Sequence, residues 1–341
     1  MDEGSAPRPA HQPSHDGFVR TLFAYHEVAI AQLQWLLPAR LVQQLDWSTL
    51  RHGPTDTANV TGRALRSDVV FEVSTIAGEP LLLHVLLEHQ RRDEPVMAFR
   101  IVEYQTRIWR HVLDGADGVV TRLPPIVAVV LYNGTSPWRA ATAIERLAPA
   151  PTEWALGPLH LRGAFLLLDL SVVPDEEIHR RAVHAHLRLG LLVMKHISAA
   201  DFWTRFVDWA AVLLEVLAMT SGRDRIDAVL HYLFRAAAPP TDDERRRVIQ
   251  LLPTFEGNIM TWAEEVKQQA LQEGLQKGLQ KGLQEGRRET LLEVLEARFG
   301  PLPATVALRV GRADADQLST WVRRVVDSTL SLDEVLDESP R

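Results

Sequence analysis

The chain has 341 residues, a formal net charge of −7 at pH 7, 46% apolar and 24% charged side chains, and no cysteine. These proportions belong to a globular protein with one sizeable core and room for a smaller domain, and they exclude a disulfide framework and a thiolate metal site. The acidic balance supplies no global pull toward nucleic acid, so any DNA contact must come from a local basic patch.

The absence of thiols fits a reducing cytoplasm. The opening MDEGSAPRPAHQPSH has no apolar h-region, and the run from Ala210 to Met219 is broken by Glu215 and too short to span a bilayer. The expectation is a cytoplasmic protein with no membrane segment.

In chain order, residues 1–14 are expected to be disordered. Phe18, Leu22, Ala29, Leu33 and Leu36 recur at helical spacing and predict one helix from His15 to Ala39, with Pro38 near its end. Asp16 stands where an N-terminal cap is favoured. Leu41 to Gly62 is mixed, with a loop at residues 52–56, and Arg63 and Arg66 follow.

The stretch from Ser67 to Gln90 predicts a β-hairpin. A β-branched and aromatic run (Asp68 to Thr75) meets a leucine-rich run (Leu81 to His89) across Gly78, Glu79 and Pro80. A turn centred on Gly78 sets Asp68 opposite Glu88, and the period of two adds Gln90 to the same face, with Leu83 and Leu87 behind. Two facing carboxylates repel unless a cation lies between them, and a hard, oxygen-seeking ion such as Mg²⁺ suits that place. The plainer alternative is a surface hairpin with a polar outer face. A one-residue slip would send Glu88 to the wrong side.

A helix from about Val96 to Leu113 follows, with Met97, Ile101, Tyr104, Ile108 and Val112 on one face and Arg100, Arg107 and Arg110 elsewhere. The arginines suit phosphate anchoring, or else form a solvated face balanced by Glu94 and Glu103. Pro125 to Tyr132 and Phe165 to Leu170 read as buried strands, so the first makes a crossover unit with the hairpin. From Pro174 the chain is helical: Glu176 to Ser198, Ala200 to Met219, Arg223 to Arg235 and Asp242 to Leu252. His179, His184, His186 and His196 lack metal-ligand spacing.

Leu271, Leu275, Leu279 and Leu283 each begin a Leu-Gln-x-Gly unit. A period of four winds the leucines around a helix in a slowly drifting stripe, and four glycines weaken an isolated helix by about 1 kcal/mol each. Residues 271–286 therefore predict either a self-associating helix, giving a homo-oligomer, or a flexible linker. A small helical module closes the chain.

Asp68, a hairpin and then Glu88-His89-Gln90 together resemble the core of PD-(D/E)XK nucleases in the variant where E-x-Q replaces E-x-K. The wider set is similar to the Rpn family of recombination-promoting nucleases, also described as YhgA-like transposases. It comprises His15-Asp16-Gly17-Phe18 with Phe23, Leu37-Pro38, Leu50, Ser67-Asp68-Val69, Leu87-Glu88-His89-Gln90, Met97-Ala98-Phe99-Arg100 with Tyr104, and Leu131-Tyr132-Asn133-Gly134. Ser67 stands in place of the motif's proline and Gln90 in place of its lysine.

The resemblance implies an α/β fold, a restriction-endonuclease-like mixed sheet flanked by helices and followed by a helical C-terminal region. It divides the chain into a nuclease-like domain over 15–172, a helical region over 173–262, the repeat over 263–288 and a terminal module over 289–341. It implies a Mg²⁺-dependent DNA endonuclease, with Mn²⁺ as substitute, in recombination or mobile-element activity. Asp68, Glu88 and the main-chain carbonyl of His89 would hold the metal, Gln90 would orient water, and Asp16 or Glu27 would add an acid. Arg66 and Arg100 would contact phosphates. An inactive DNA-binding or self-assembling scaffold and an RNA-directed hydrolase are the alternatives.

Overall fold

A computed structural model describes residues 15–53, 68–88, 94–116, 118–149, 151, 159–326 and 329–337, with backbone alone at 15, 16, 68 and 84–88. The expectations for residues 1–14, Arg63, Arg66, His89, Gln90 and most of the 52–56 loop fall outside them. The chain divides into two compact units, Met1–Ala263 and Glu264–Arg341.

The first unit is built on a five-stranded mixed sheet in sequential order: β1 (Leu45–His52), β2 (Asp68–Thr75), β3 (Pro80–Glu88), β4 (Ile126–Tyr132) and β5 (Leu166–Asp169). The first three strands run antiparallel, whereas β3, β4 and β5 run parallel. Helix α4 (Met97–Asp114) carries the chain from β3 to β4, as a parallel pair requires, and the short α5 (Ile144–Leu147) falls between β4 and β5.

Each face of the sheet has its own apolar cover. Phe71 and Val73 of β2, Leu81 and Leu83 of β3, Val129 and Leu131 of β4 and Leu168 of β5 enter the main core. They meet α1 (His15–Phe23), α2 (His26–Leu36) and the later helices α6 (Asp175–Arg181), α7 (Ala185–His196), α8 (Phe202–Asp208), α9 (Ala210–Leu217), α10 (Gly222–Ala236) and α11 (Asp242–Leu251). On the other face, Val70, Leu82, Ala128 and Val130 pack under Met97, Ile101, Tyr104 and Ile108 of α4. Burying a side chain of this size stabilises by about 1.5–3 kcal/mol, which makes the alternation of faces the main determinant of register.

The hairpin turn is centred one residue earlier than the glycine suggests. Ser74 pairs with Pro80, so Asp68 lies opposite Leu86 and not opposite Glu88. Gly78 sits at φ +85° on the descending side of the turn, where Gly78 N donates to Thr75 O and Thr75 N to Glu79 O (both 2.8 Å). The pairing therefore shifts by two residues. An even shift keeps every residue on its face.

Helix periodicity also ran through real breaks. The single helix expected over 15–39 is two, α1 and α2, and a short α3 (Ala39–Val42) starts at its expected end. Tyr25 leaves the first at φ −84°, ψ 113°, and its ring lies 3.9 Å beneath the Arg225 guanidinium and edge-on to His186. The expected helices over 176–198 and 200–219 each split in two as well. Strand β1, in the stretch of mixed sequence pattern, is an edge strand with a bulge between Asp46 and Arg51.

Helix α12 (Glu256–Phe299) begins in the first unit and continues without interruption through the repeat in the second, so those residues are helical. Its last turns form a separate core with α13 (Ala304–Arg312), α14 (Ala315–Val325) and α15 (Leu332–Val335) through Leu291, Leu295, Val310, Leu318, Trp321 and Val335. Leu271, Leu275 and Leu279 remain 73% exposed and Leu283 58%. No described helix is long and apolar enough to cross a membrane.

Candidate functional site

Strands β3, β4 and β5 end together, and β2 begins at the same edge. In open α/β sheets the carboxyl ends of parallel strands are where ligands bind. Glu88 closes β3 beside Tyr132 of β4, and Tyr132 pairs in turn with Asp169 of β5. Asp68 opens β2 opposite Leu86, one pleat before Glu88. The two positions therefore share the α4 face of the sheet as diagonal neighbours, about 7–8 Å apart.

No group of three His, Cys, Asp or Glu able to hold a metal occurs among the described residues.

Asp169 was not foreseen as part of this edge. Its carboxylate accepts from Trp138 N (2.8 Å), Ser171 N (2.9 Å) and Ser171 Oγ (2.6 Å), which ties the loop after β4 to β5. Tyr132 Oη donates to Ser136 O (2.9 Å), and the ring stacks edge-on against Trp138. These contacts fill Asp169 and fix the wall beside Glu88.

The N-terminal end of α4 overlooks the same edge, because the helix starts where β3 stops. Arg100 pairs with Glu94 (3.5 Å) and donates from Nη2 and Nε to Tyr104 Oη (2.9 and 3.3 Å). Tyr104, read from the sequence as apolar lining, buries its ring and offers its hydroxyl to the arginine. A helical spacing of four was the available signal.

Glu27 belongs elsewhere. It lies on α2, over the opposite face of the sheet, and its carboxylate pairs with Arg225 of α10. Burial raises its pKa, but the Arg225 hydrogen bond and charge, with a backbone hydrogen bond, leave it below the ordinary carboxylate value. Arg225 also donates to His186 Nδ1 (3.1 Å) and to Thr220 O (3.2 Å). Burial, then the neighbouring Arg225 charge, push His186 down to about 3, so that ring is a neutral acceptor at physiological pH. His196 pairs with Asp175, whose carboxylate also takes Lys195 Nζ (2.5 Å). Both clusters bind helices to one another. Asp16 falls in the first turn of α1, and its side chain is not among those described.

Residues 13–223 match the family model described as "Putative transposase, YhgA-like". The chain is 31% identical over 273 residues to the inactive recombination-promoting nuclease-like protein RpnE of Escherichia coli K12, covering 75% of this chain and 87% of that one. It is 27% identical over 261 residues to recombination-promoting nuclease RpnD of E. coli O157:H7, covering 74% and 93%. It is 28% identical over 264 residues to recombination-promoting nuclease RpnA of E. coli K12, covering 75% and 84%. No solved structure matches the chain significantly.

Proposed function

The chain belongs to the YhgA-like transposase family, and we propose that it is a metal-dependent DNA endonuclease of the PD-(D/E)XK class that acts in recombination or on mobile DNA. The observation that carries the reading is the shared-face register of Asp68 and Glu88 at the carboxyl edge of the sheet.

Asp68, Glu88 and the main-chain carbonyl of His89 would hold Mg²⁺, or Mn²⁺ in its place. Such an ion, when bound, supplies charge to the scissile phosphate and lowers the pKa of water. Gln90 orients that water through hydrogen bonds and brings no charge, unlike the ammonium of a lysine. A slow enzyme is the consequence. Arg66 and Arg100 hold backbone phosphates, and guanidinium groups match phosphate oxygens in pairs.

Supercoiled plasmid at low salt, with Mg²⁺, Mn²⁺, Ca²⁺ or EDTA, tests this. Nicking is expected with Mg²⁺ or Mn²⁺ and is absent in EDTA. A folded protein that fails to cut with any of these metals belongs to the second reading, a DNA-binding or self-assembling scaffold without cleavage. The similarity to the inactive RpnE and the glutamine at position 90 favour that alternative. Preference for RNA over duplex DNA in competition would redirect the substrate assignment.

We also propose that residues 271–286 pair with the same segment of a second copy. Leucine and glycine rows four residues apart form a ridge and an adjacent groove on one helix, and two such helices interdigitate symmetrically at about −50°. Within the chain the small size of the glycines goes unused, since a Cβ at Gly274, Gly278, Gly282 or Gly286 meets no atom within 4 Å. The exposed pairs Glu273–Lys277 and Lys281–Glu285 (3.9 Å each) contribute about 0.3–0.5 kcal/mol apiece and do not offset four glycines. Light scattering of a Leu275→Glu, Leu279→Glu protein should show monomer where the wild type is dimeric. An unchanged mass would rule the pairing out.

A further inference from the structure

The two sides of α4 are chemically different. Gln105 Nε2 and Trp109 Nε1 donate to Ile126 O (3.4 Å) and Pro124 O (2.7 Å), which turns one flank of the helix toward the entrance of β4. Arg100, Tyr104 and Arg107 occupy the other flank, at positions separated by four and three residues.

Tyr104 joins the two cations. Its hydroxyl accepts from Arg100, and the Cζ atoms of Arg100 and Arg107 lie 5.7 and 5.8 Å from its ring centroid. Both arginines gain from the ring's negative face, and the ring itself is held in the core under α4. Arg107 is exposed and has no ion pair among the described residues. An exposed guanidinium steadied by a buried aromatic, on an acidic protein, presents an anchored positive charge to solvent.

Resting on the DNA reading given above, we propose that Arg107 is a second phosphate anchor and that Tyr104 is the positioning residue that sets it in line with Arg100. Seven helical residues advance by about 10.5 Å. Charges that far apart reach different phosphates of one strand, whose axial rise is about 3.4 Å per nucleotide. Arg100 and Arg107 then meet separate phosphates of one strand and lead it along α4 to the edge where Asp68 and Glu88 stand. Tyr104 touches neither substrate nor metal. It acts through the two side chains it orients.

The test is fluorescence anisotropy of a labelled duplex over a salt series, in an Asp68→Ala background that prevents cutting. Arg107→Gln should weaken binding several-fold at low salt and reduce the slope of log affinity against log salt by about 1. Arg107→Lys keeps the charge and should restore the slope. Arg180→Gln removes an equal charge from α6, over the opposite face, and should leave the slope unchanged. Tyr104→Phe retains both charges and the ring but releases Arg100, so affinity should fall several-fold at constant slope. An unchanged slope in Arg107→Gln, while the parent binds DNA, overturns the anchor and leaves the endonuclease reading intact. Unweakened binding by Tyr104→Phe overturns the positioning role. A folded parent that fails to bind duplex DNA overturns both the anchor and the reading beneath it.

Discussion

Replacing either Asp68 or Glu88 with alanine is expected to lower Mg²⁺-dependent nicking by a factor of about 10³ or more, the scale lost when a group supporting transition-state charge is removed. Both residues terminate strands, Asp68 at the start of β2 and Glu88 at the end of β3. The core-forming partners Phe71, Val73, Leu81 and Leu83 lie further inside the hairpin. Circular dichroism and thermal midpoint should therefore remain near wild type while cleavage disappears. The two acids serve one ion in this reading, so the double variant should be no worse than either single one, as for groups that act as a unit. Undiminished nicking by folded Asp68→Ala protein would remove the site assignment, whatever the family membership.

The hairpin was legible because face membership survives an error in the turn. A centre at Gly78 and the observed centre one residue earlier differ by two in the pairing, and two is the period of the pleat. The apolar run of β4 was legible because it is buried on both faces. What failed depends on distant residues. Strand β1 reads Leu-Asp-Trp-Ser-Thr-Leu-Arg-His, and on a bulged edge strand half of these positions are exposed and only Leu45 and Leu50 are buried, so no alternation marks it.

Helix ends were hidden for a related reason. The break at Tyr25 is made by Arg225, 200 positions along the chain, whose cation sits on that ring and on Glu27. A local window contains neither partner. The same cluster holds Glu27 away from the carboxyl edge of the sheet, and Asp169, which lies at that edge, spends its oxygens on Trp138 and Ser171. Charged residue types suggest chemistry only until their partners are known.

Gly134→Ala is expected to carry the largest stability cost of any small substitution near the site. A Cβ there would lie 1.9 Å from Tyr132 Oη and 2.1 Å from its Cζ. The ring cannot yield. It is fully buried, its hydroxyl is bound to Ser136 O, and Trp138 closes its edge. Overpacking of this kind costs about 1–3 kcal/mol, so the denaturation midpoint should drop by several degrees. Cleavage by the folded fraction should fall too, because Tyr132 is the β4 neighbour of Glu88 in the register. A Tyr132→Leu background separates the clash from any intrinsic effect of alanine, since leucine ends short of the hydroxyl position. There Gly134→Ala should be nearly silent, giving a strong coupling between the two positions. Equal losses in both backgrounds would mean that the glycine serves its own backbone, and the tyrosine wall beside Glu88 would no longer explain it.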